Sequence, residues 1–147
     1  MSVQKTFDDT VRALEKVFGS GMKTNIQLIE IAKHVFPILG NKVFRNAEYQ
    51  FQKMGGKYSV MNTDNAKGIH WVSTFQRGKN IYVFDSFGRP TKQLIPEFYK
   101  RAVKAGYTII DTDYDVDQKD EQLDCGIRSL AWCIIAFHKG IKFALKI

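Results

Sequence analysis

The sequence predicts an α+β fold, a small mixed β-sheet flanked by helices, in a single domain spanning residues 1–147. Three observations lead there. Apolar residues recur at helical spacing before Gly40, alternate with period two between Tyr58 and Phe84, and return to helical spacing after Cys125.

Taken in order, Thr6 to Phe18 reads as a helix, with Phe7, Val11, Leu14, Val17 and Phe18 on one stripe and Gly19 as the stop. Thr24-Asn25-Ile26-Gln27 has capping-box form, in which a Thr oxygen takes a first-turn N–H while Gln reaches back. The helix it opens continues through Ile26, Ile29, Ala32 and Phe36 until Pro37 or Gly40. From Asn41 to Gly56 neither period wins, and a substrate-facing loop is one reading. Tyr58 to Met61, Ile69 to Phe75 and Asn80 to Phe84 read as short strands, the last two joined by Gln76-Arg77-Gly78-Lys79. Gly88, Arg89 and Pro90 break the pattern. Pro96 to Ala105 follows as a helix with proline in its first turn. Tyr107 to Ile110 reads as a strand. The last helix is expected from Gly126 to His138, with Ile127, Leu130, Ala131, Ile134 and Phe137 or His138 facing inward.

Composition narrows the class. With 44% apolar and 25% charged residues the chain is globular rather than disordered, and at 147 residues it can bury a core without a metal or disulfide staple. Its apolar runs fall far short of the ~20 residues that span a bilayer, so no membrane association is expected. Met1-Ser2-Val3-Gln4-Lys5 carries no signal-peptide core, which points to a cytosolic or nuclear setting rather than secretion. Two cysteines exclude a disulfide framework.

The net charge of +7 is unevenly spread. Between Asp111 and Asp124 seven acids stand against Lys119 alone, a local charge of −6 that leaves +13 on the rest of the chain. Such a balance favours polyanions such as nucleic acid. Lysines also serve solubility, and no nucleic-acid motif stands out.

Cys125 stands at the start of an apolar helix, where unpaired N–H groups and the helix dipole stabilise a thiolate. Gly126 beside it lets another group approach closely. The neighbouring acids oppose a thiolate, so activation needs a cationic partner. Cys133, eight residues on and about 12 Å along the same helix, is out of disulfide reach and reads as a small buried hydrophobe. Of the three histidines, His34 and His138 have sufficient structural explanations on their helices. His70 stands in a strand just before Trp71, and Asp85 lies at the terminus of the strand predicted to pair with it, so both lie near the open end of one hairpin. A carboxylate there can fix the imidazole's tautomer and support its charge. Gln118 or Gln122 could supply an amide donor to an oxyanion, with the backbone N–H of Cys125 as a second. No short Cys or His pair has metal-ligand spacing, and no metal is expected.

The ordered set Gly68-Ile69-His70-Trp71-Val72, Tyr82-Val83-Phe84-Asp85-Ser86-Phe87-Gly88, Gln118 and Asp124-Cys125-Gly126 resembles the adenovirus-type (adenain-like) maturation cysteine proteases and the related proteases that process ubiquitin-like proteins. Within that superfamily it is most similar to versions from large DNA viruses, virophages and related mobile elements. Tyr58 to Asp64 is similar to the family strand that leads into the His-Trp pair, and the recognisable motifs run from about Tyr58 to Phe137.

The resemblance implies a papain-like, adenain-like fold with the nucleophile at the N-terminus of a buried helix. It implies Cys125 as nucleophile, His70 as general base and Asp85 as the group that orients the imidazole, where adenovirus enzymes place Glu. Gln118, seven residues before Cys125, matches the oxyanion glutamine of the adenovirus branch; Gln122 is the alternate. Trp71 and Gly126 would shape the substrate cleft. The fifteen residues from His70 to Asp85 are slightly fewer than in the family, consistent with a trimmed hairpin.

The implied activity is a viral endopeptidase that cleaves capsid or core precursors, acting as a monomer in the virion or infected cell. It would use no metal or organic cofactor, and DNA or a viral peptide could serve as activator. The alternatives are a deconjugating protease for a ubiquitin-like protein, for which the short chain leaves little gripping surface, or a non-catalytic polyanion-binding protein on a protease fold.

Overall fold

The computed structural model describes residues 2–64, 70–112 and 124–147. Its centre is a five-stranded mixed sheet of β1 (Val43–Arg45), β2 (Lys57–Asn62), β3 (Trp71–Arg77), β4 (Asn80–Phe84) and β5 (Thr108–Asp111), in that spatial order. β2, β3 and β4 are antiparallel neighbours, while the two outer strands run parallel to theirs. A parallel neighbour needs a crossover, and α3 (Thr91–Leu94) and α4 (Pro96–Lys104) supply it between β4 and β5. The β3–β4 hairpin turns at Gly78, whose φ of 59° suits glycine.

Alternation along the strands divides the core in two. Tyr58, Val60, Trp71, Tyr82 and Phe84 face one layer, built from α1 (Val3–Phe18), α2 (Asn25–Val35), α5 (Cys125–Lys139) and α6 (Ile141–Ala144). Met61, Val72, Ile81 and Val83 face the other, with Tyr49, Phe51, Phe98 and Tyr107. The expected α+β class holds, with helices on both faces of the sheet.

Several local expectations shift. α1 starts at Val3 rather than Thr6, because Ser2 caps it by accepting a hydrogen bond from the Lys5 N–H. The Thr24–Gln27 capping box is present as expected. The face of α2 is rotated from the expected one: Leu28, Ile31 and Ala32 are buried, whereas Ile26 is exposed. In α5 everything from Cys125 to Cys133 is buried, Ile135 and Ala136 continue the inward face, and Phe137 and His138 are exposed. A helix wrapped by α1, α2, α6 and the sheet has no single apolar stripe to read.

The stretch from Asn41 to Gly56 is not a free loop. It contributes β1 and two 3₁₀ turns, held to the sheet by Tyr49 Oη donating to Gln76 Oε1 at 2.7 Å and Gln76 Nε2 donating to the Phe51 carbonyl at 2.8 Å. Arg101 of α4 donates to the Asn46 and Tyr49 carbonyls from the other side. No helix among the described residues is long and apolar enough to cross a membrane.

Candidate active site

Two positioning devices bring the N-terminus of α5 to the start of β3. Ser129, one turn after Cys125, donates its hydroxyl to the Trp71 carbonyl at 3.1 Å. Gly126 lies under Leu28 and Trp71 so closely that a Cβ there would stand 3.1 Å from Leu28 Cδ2 and 3.3 Å from Trp71 Cδ1. Trp71 is itself pinned, since its indole N–H donates to the Lys23 carbonyl at 3.0 Å. Gly126 therefore admits the side chains that seat the helix. Replacing Gly126 with alanine is expected to destabilise the fold by about 1–3 kcal/mol through overpacking, read as a lower urea midpoint with the slope unchanged.

This seating places Cys125 within a side-chain hydrogen bond of His70. The imidazole's Nε2 lies 2.5 Å from Asp85 Oδ1, which leaves Nδ1 for the thiol. All three residues are buried, and Phe87 packs on the imidazole with ring centroids 5.3 Å apart. The ordered group His70, Asp85 and Cys125 is thus one hydrogen-bonded cluster, at the open end of the hairpin where Ser73 pairs with Phe84.

Asp85 is heavily supplied with donors. Its Oδ2 accepts from the Arg89 backbone N–H at 3.0 Å and from Arg89 Nε at 2.9 Å, and Oδ1 also accepts from the Phe87 N–H. Gly88, with φ of 68°, closes the turn that folds Arg89 back. Burial pushes the Asp85 carboxyl up, but the bonds to His70 and Arg89 prevail and hold it down to about 2. Burial likewise disfavours the charged imidazole of His70, yet its bonds to Asp85 and Cys125 leave the group raised overall. The pair is therefore built to carry a positive imidazole beside a fixed negative carboxylate. Arg89 was hidden in the sequence as a strand breaker; an Asp-x-x-x-Arg turn containing Gly88 is the signal that could have found it.

Cys133 is fully buried and its thiol is pushed well up by burial, the state of an inert thiol. Both cysteines are free. His34 stacks on Phe18 and His138 lies edge-on to Phe137, both exposed and on helices away from the β3 start. Gln118 and Gln122 lie outside the described residues. Among the described residues no group of three or more His, Cys, Asp and Glu is arranged to hold a metal ion.

A second charged group lies beside Cys125. Asp124 and Arg128 are both buried, with Arg128 Nε donating to Asp124 Oδ1 at 3.1 Å. Glu15 of α1 hydrogen-bonds the Asp124 carboxylate, and that bond, with burial and the like charge, raises the Glu15 carboxyl to about 7 against the pull of Arg128 and Lys23. The folded protein thus prefers Glu15 protonated. Its stabilisation is complete below the ordinary carboxylate range and is lost as pH rises through about 7. A Glu15→Gln variant keeps a donor without ionising, so Tm measured between pH 5 and pH 8 is expected to fall less with rising pH than in the wild type. Equal slopes would remove the shared proton.

No family model and no curated protein matches the chain. Among solved structures, the chain is similar to the crystal structure of selenomethionine ASFV pS273R protease, with a TM-score of 0.45 and 20% sequence identity over 86% of this chain, which spans 62% of that chain's length.

Proposed function

We propose that this chain is a cysteine endopeptidase with Cys125 as nucleophile, His70 as general base and Asp85 as the group that orients and charges the imidazole. The observation that carries the reading is a single buried imidazole hydrogen-bonded to both a thiol and a carboxylate. The thiol proton passes to His70 as Cys125 Sγ bonds to the peptide carbonyl carbon. The tetrahedral oxyanion falls near the N-terminus of α5, where the Cys125 backbone N–H is available to it. His70 returns the proton to the leaving amine as the C–N bond breaks, and water then hydrolyses the thioester. Gln118 is proposed as the side-chain donor to that oxyanion, with Gln122 as alternate.

The finer reading is maturation of viral capsid or core precursors, supported by the ordered motifs in the sequence. The test is co-expression with the candidate precursor beside a Cys125→Ala variant, read as intact precursor mass. Truncation by the wild type alone supports the reading and reports the cut site. Equal truncation in both points to a host protease and removes the assignment of Cys125. The charge of +13 outside the acidic run supports DNA as an activator. Cleavage rates unchanged by DNA at both low and moderate salt would exclude it.

A further inference from the structure

Beside the catalytic cluster lies an open cavity of about 430 Å³ between the start of α2 and the outer edge of the sheet. Val43, Phe44 and Trp71 give it an apolar wall, while Arg45, Glu48 and Asn62 give it a polar end. Trp71 belongs to both places. It follows His70 in the chain and packs on Gly126, the residue after Cys125, so the cavity and the cluster share this one wall. A chain held with its peptide bond at Cys125 reaches the cavity within a few residues, at ~3.3–3.6 Å of extended backbone per residue.

The charges around the cavity do not cancel. Arg45 Nε donates to Asp64 Oδ1 at 3.1 Å, and Asp64 also accepts from Asn46 Nδ2, so that guanidinium is matched by its own carboxylate. Among the described residues, Glu48 Oε1 accepts only a neutral donor, the Arg45 backbone N–H, at 3.0 Å. Nearby Lys23 is turned away, its ammonium on the Ser20 and Gly21 carbonyls. Among the described residues, the uncompensated charge at the cavity is the carboxylate of Glu48. A long cationic side chain matches this arrangement, with its methylene stem against Phe44 and Trp71 and its charged head toward Glu48 and Asn62.

We propose that this cavity is a specificity subsite for a lysine or arginine side chain of the cleaved chain, with Glu48 as the residue that reads its charge. The inference rests on the proteolytic reading above and adds a substrate class to it.

The test is a positional-scanning peptide library cleaved by the wild type, Glu48→Gln and Glu48→Lys, with norleucine as the uncharged match for lysine. Glu48→Gln keeps the acceptor that holds the Arg45 N–H and removes only the charge. The expected result is one position at which the wild type prefers Lys or Arg over norleucine by about 2- to 5-fold in kcat/KM, the scale of one partly exposed ion pair. Glu48→Gln should bring the ratio of Lys to norleucine cleavage at that position to about one, and Glu48→Lys should turn the preference toward Glu. A wild type without basic preference at any position, or a preference that survives Glu48→Gln, overturns the subsite and leaves proteolysis standing. A wild type that cleaves no peptide, with Cys125 unreactive toward iodoacetamide at neutral pH, removes the proteolytic reading and the subsite with it.

Discussion

Replacing Cys125 with alanine is expected to abolish peptide cleavage, with kcat falling at least about 10⁴-fold and the fold intact. The size follows from the chemistry. Without the thiol no acyl intermediate forms, and the remaining N–H donors and binding contacts cannot attack a carbonyl. The fold should survive because the change removes one sulfur at the end of α5, while Ser129, Gly126 and Trp132 continue to seat the helix. Cys133 supplies the contrast. Its thiol is enclosed on all sides and held protonated by burial, so Cys133→Ala should leave kcat near the wild-type value and instead lower stability by about 1–2 kcal/mol. Alkylation separates the two directly. Iodoacetamide should modify Cys125 and spare Cys133 in the native protein, which peptide mapping reads. Modification of Cys133 first, or cleavage by the Cys125→Ala variant, would contradict the assignment.

Much of this site was legible because it depends on order and period. Strand alternation from Tyr58 to Phe84 placed His70 and Asp85 at the same end of a hairpin, and the observed register of Ser73 with Phe84 agrees. The Thr24–Gln27 box fixed the start of α2 from four residues. What escaped the sequence depends on packing between distant segments. Trp71 and Gly126 are 55 positions apart, and their close contact follows only when α2, α5 and β3 are assembled. The rotated face of α2 escaped for the same reason: Ile26 and Leu28 are equally apolar, and the position of α5 decides which is buried. Glu15 escaped because its partner Asp124 lies 109 residues away and is also an acid, a pairing that makes sense only with a shared proton and Arg128 beside it.

The second large effect is expected at Asp85. Asp85→Asn preserves the shape of the side chain but removes the charge that supports a positive imidazole, so His70 should become less basic. The bonds from His70 and Arg89 outweigh burial at this carboxyl, which is why it stays ionised to about pH 2. An amide cannot answer both partners in the same way. Its oxygen can accept from His70 Nε2 or from Arg89, but its NH₂ group presents a donor to whichever is left. The expected loss in kcat/KM is about 10²–10⁴-fold, with the acidic limb of the pH–rate profile displaced because the His70 titration has moved. Stability should change in a defined window. The wild-type carboxyl lies below its ordinary value of 3.8, so its contribution is present above that pH and disappears as pH falls toward about 2. In Asp85→Asn that acid-dependent loss should be absent, and the deficit relative to wild type should be largest near neutral pH and shrink below pH 4. A companion Arg89→Met variant divides the two partners of Asp85. It leaves the His70–Asp85 bond in place, so it should lower stability more than it lowers kcat. If Arg89→Met proved as damaging to kcat as Asp85→Asn, the arginine rather than the imidazole would be the partner through which Asp85 acts.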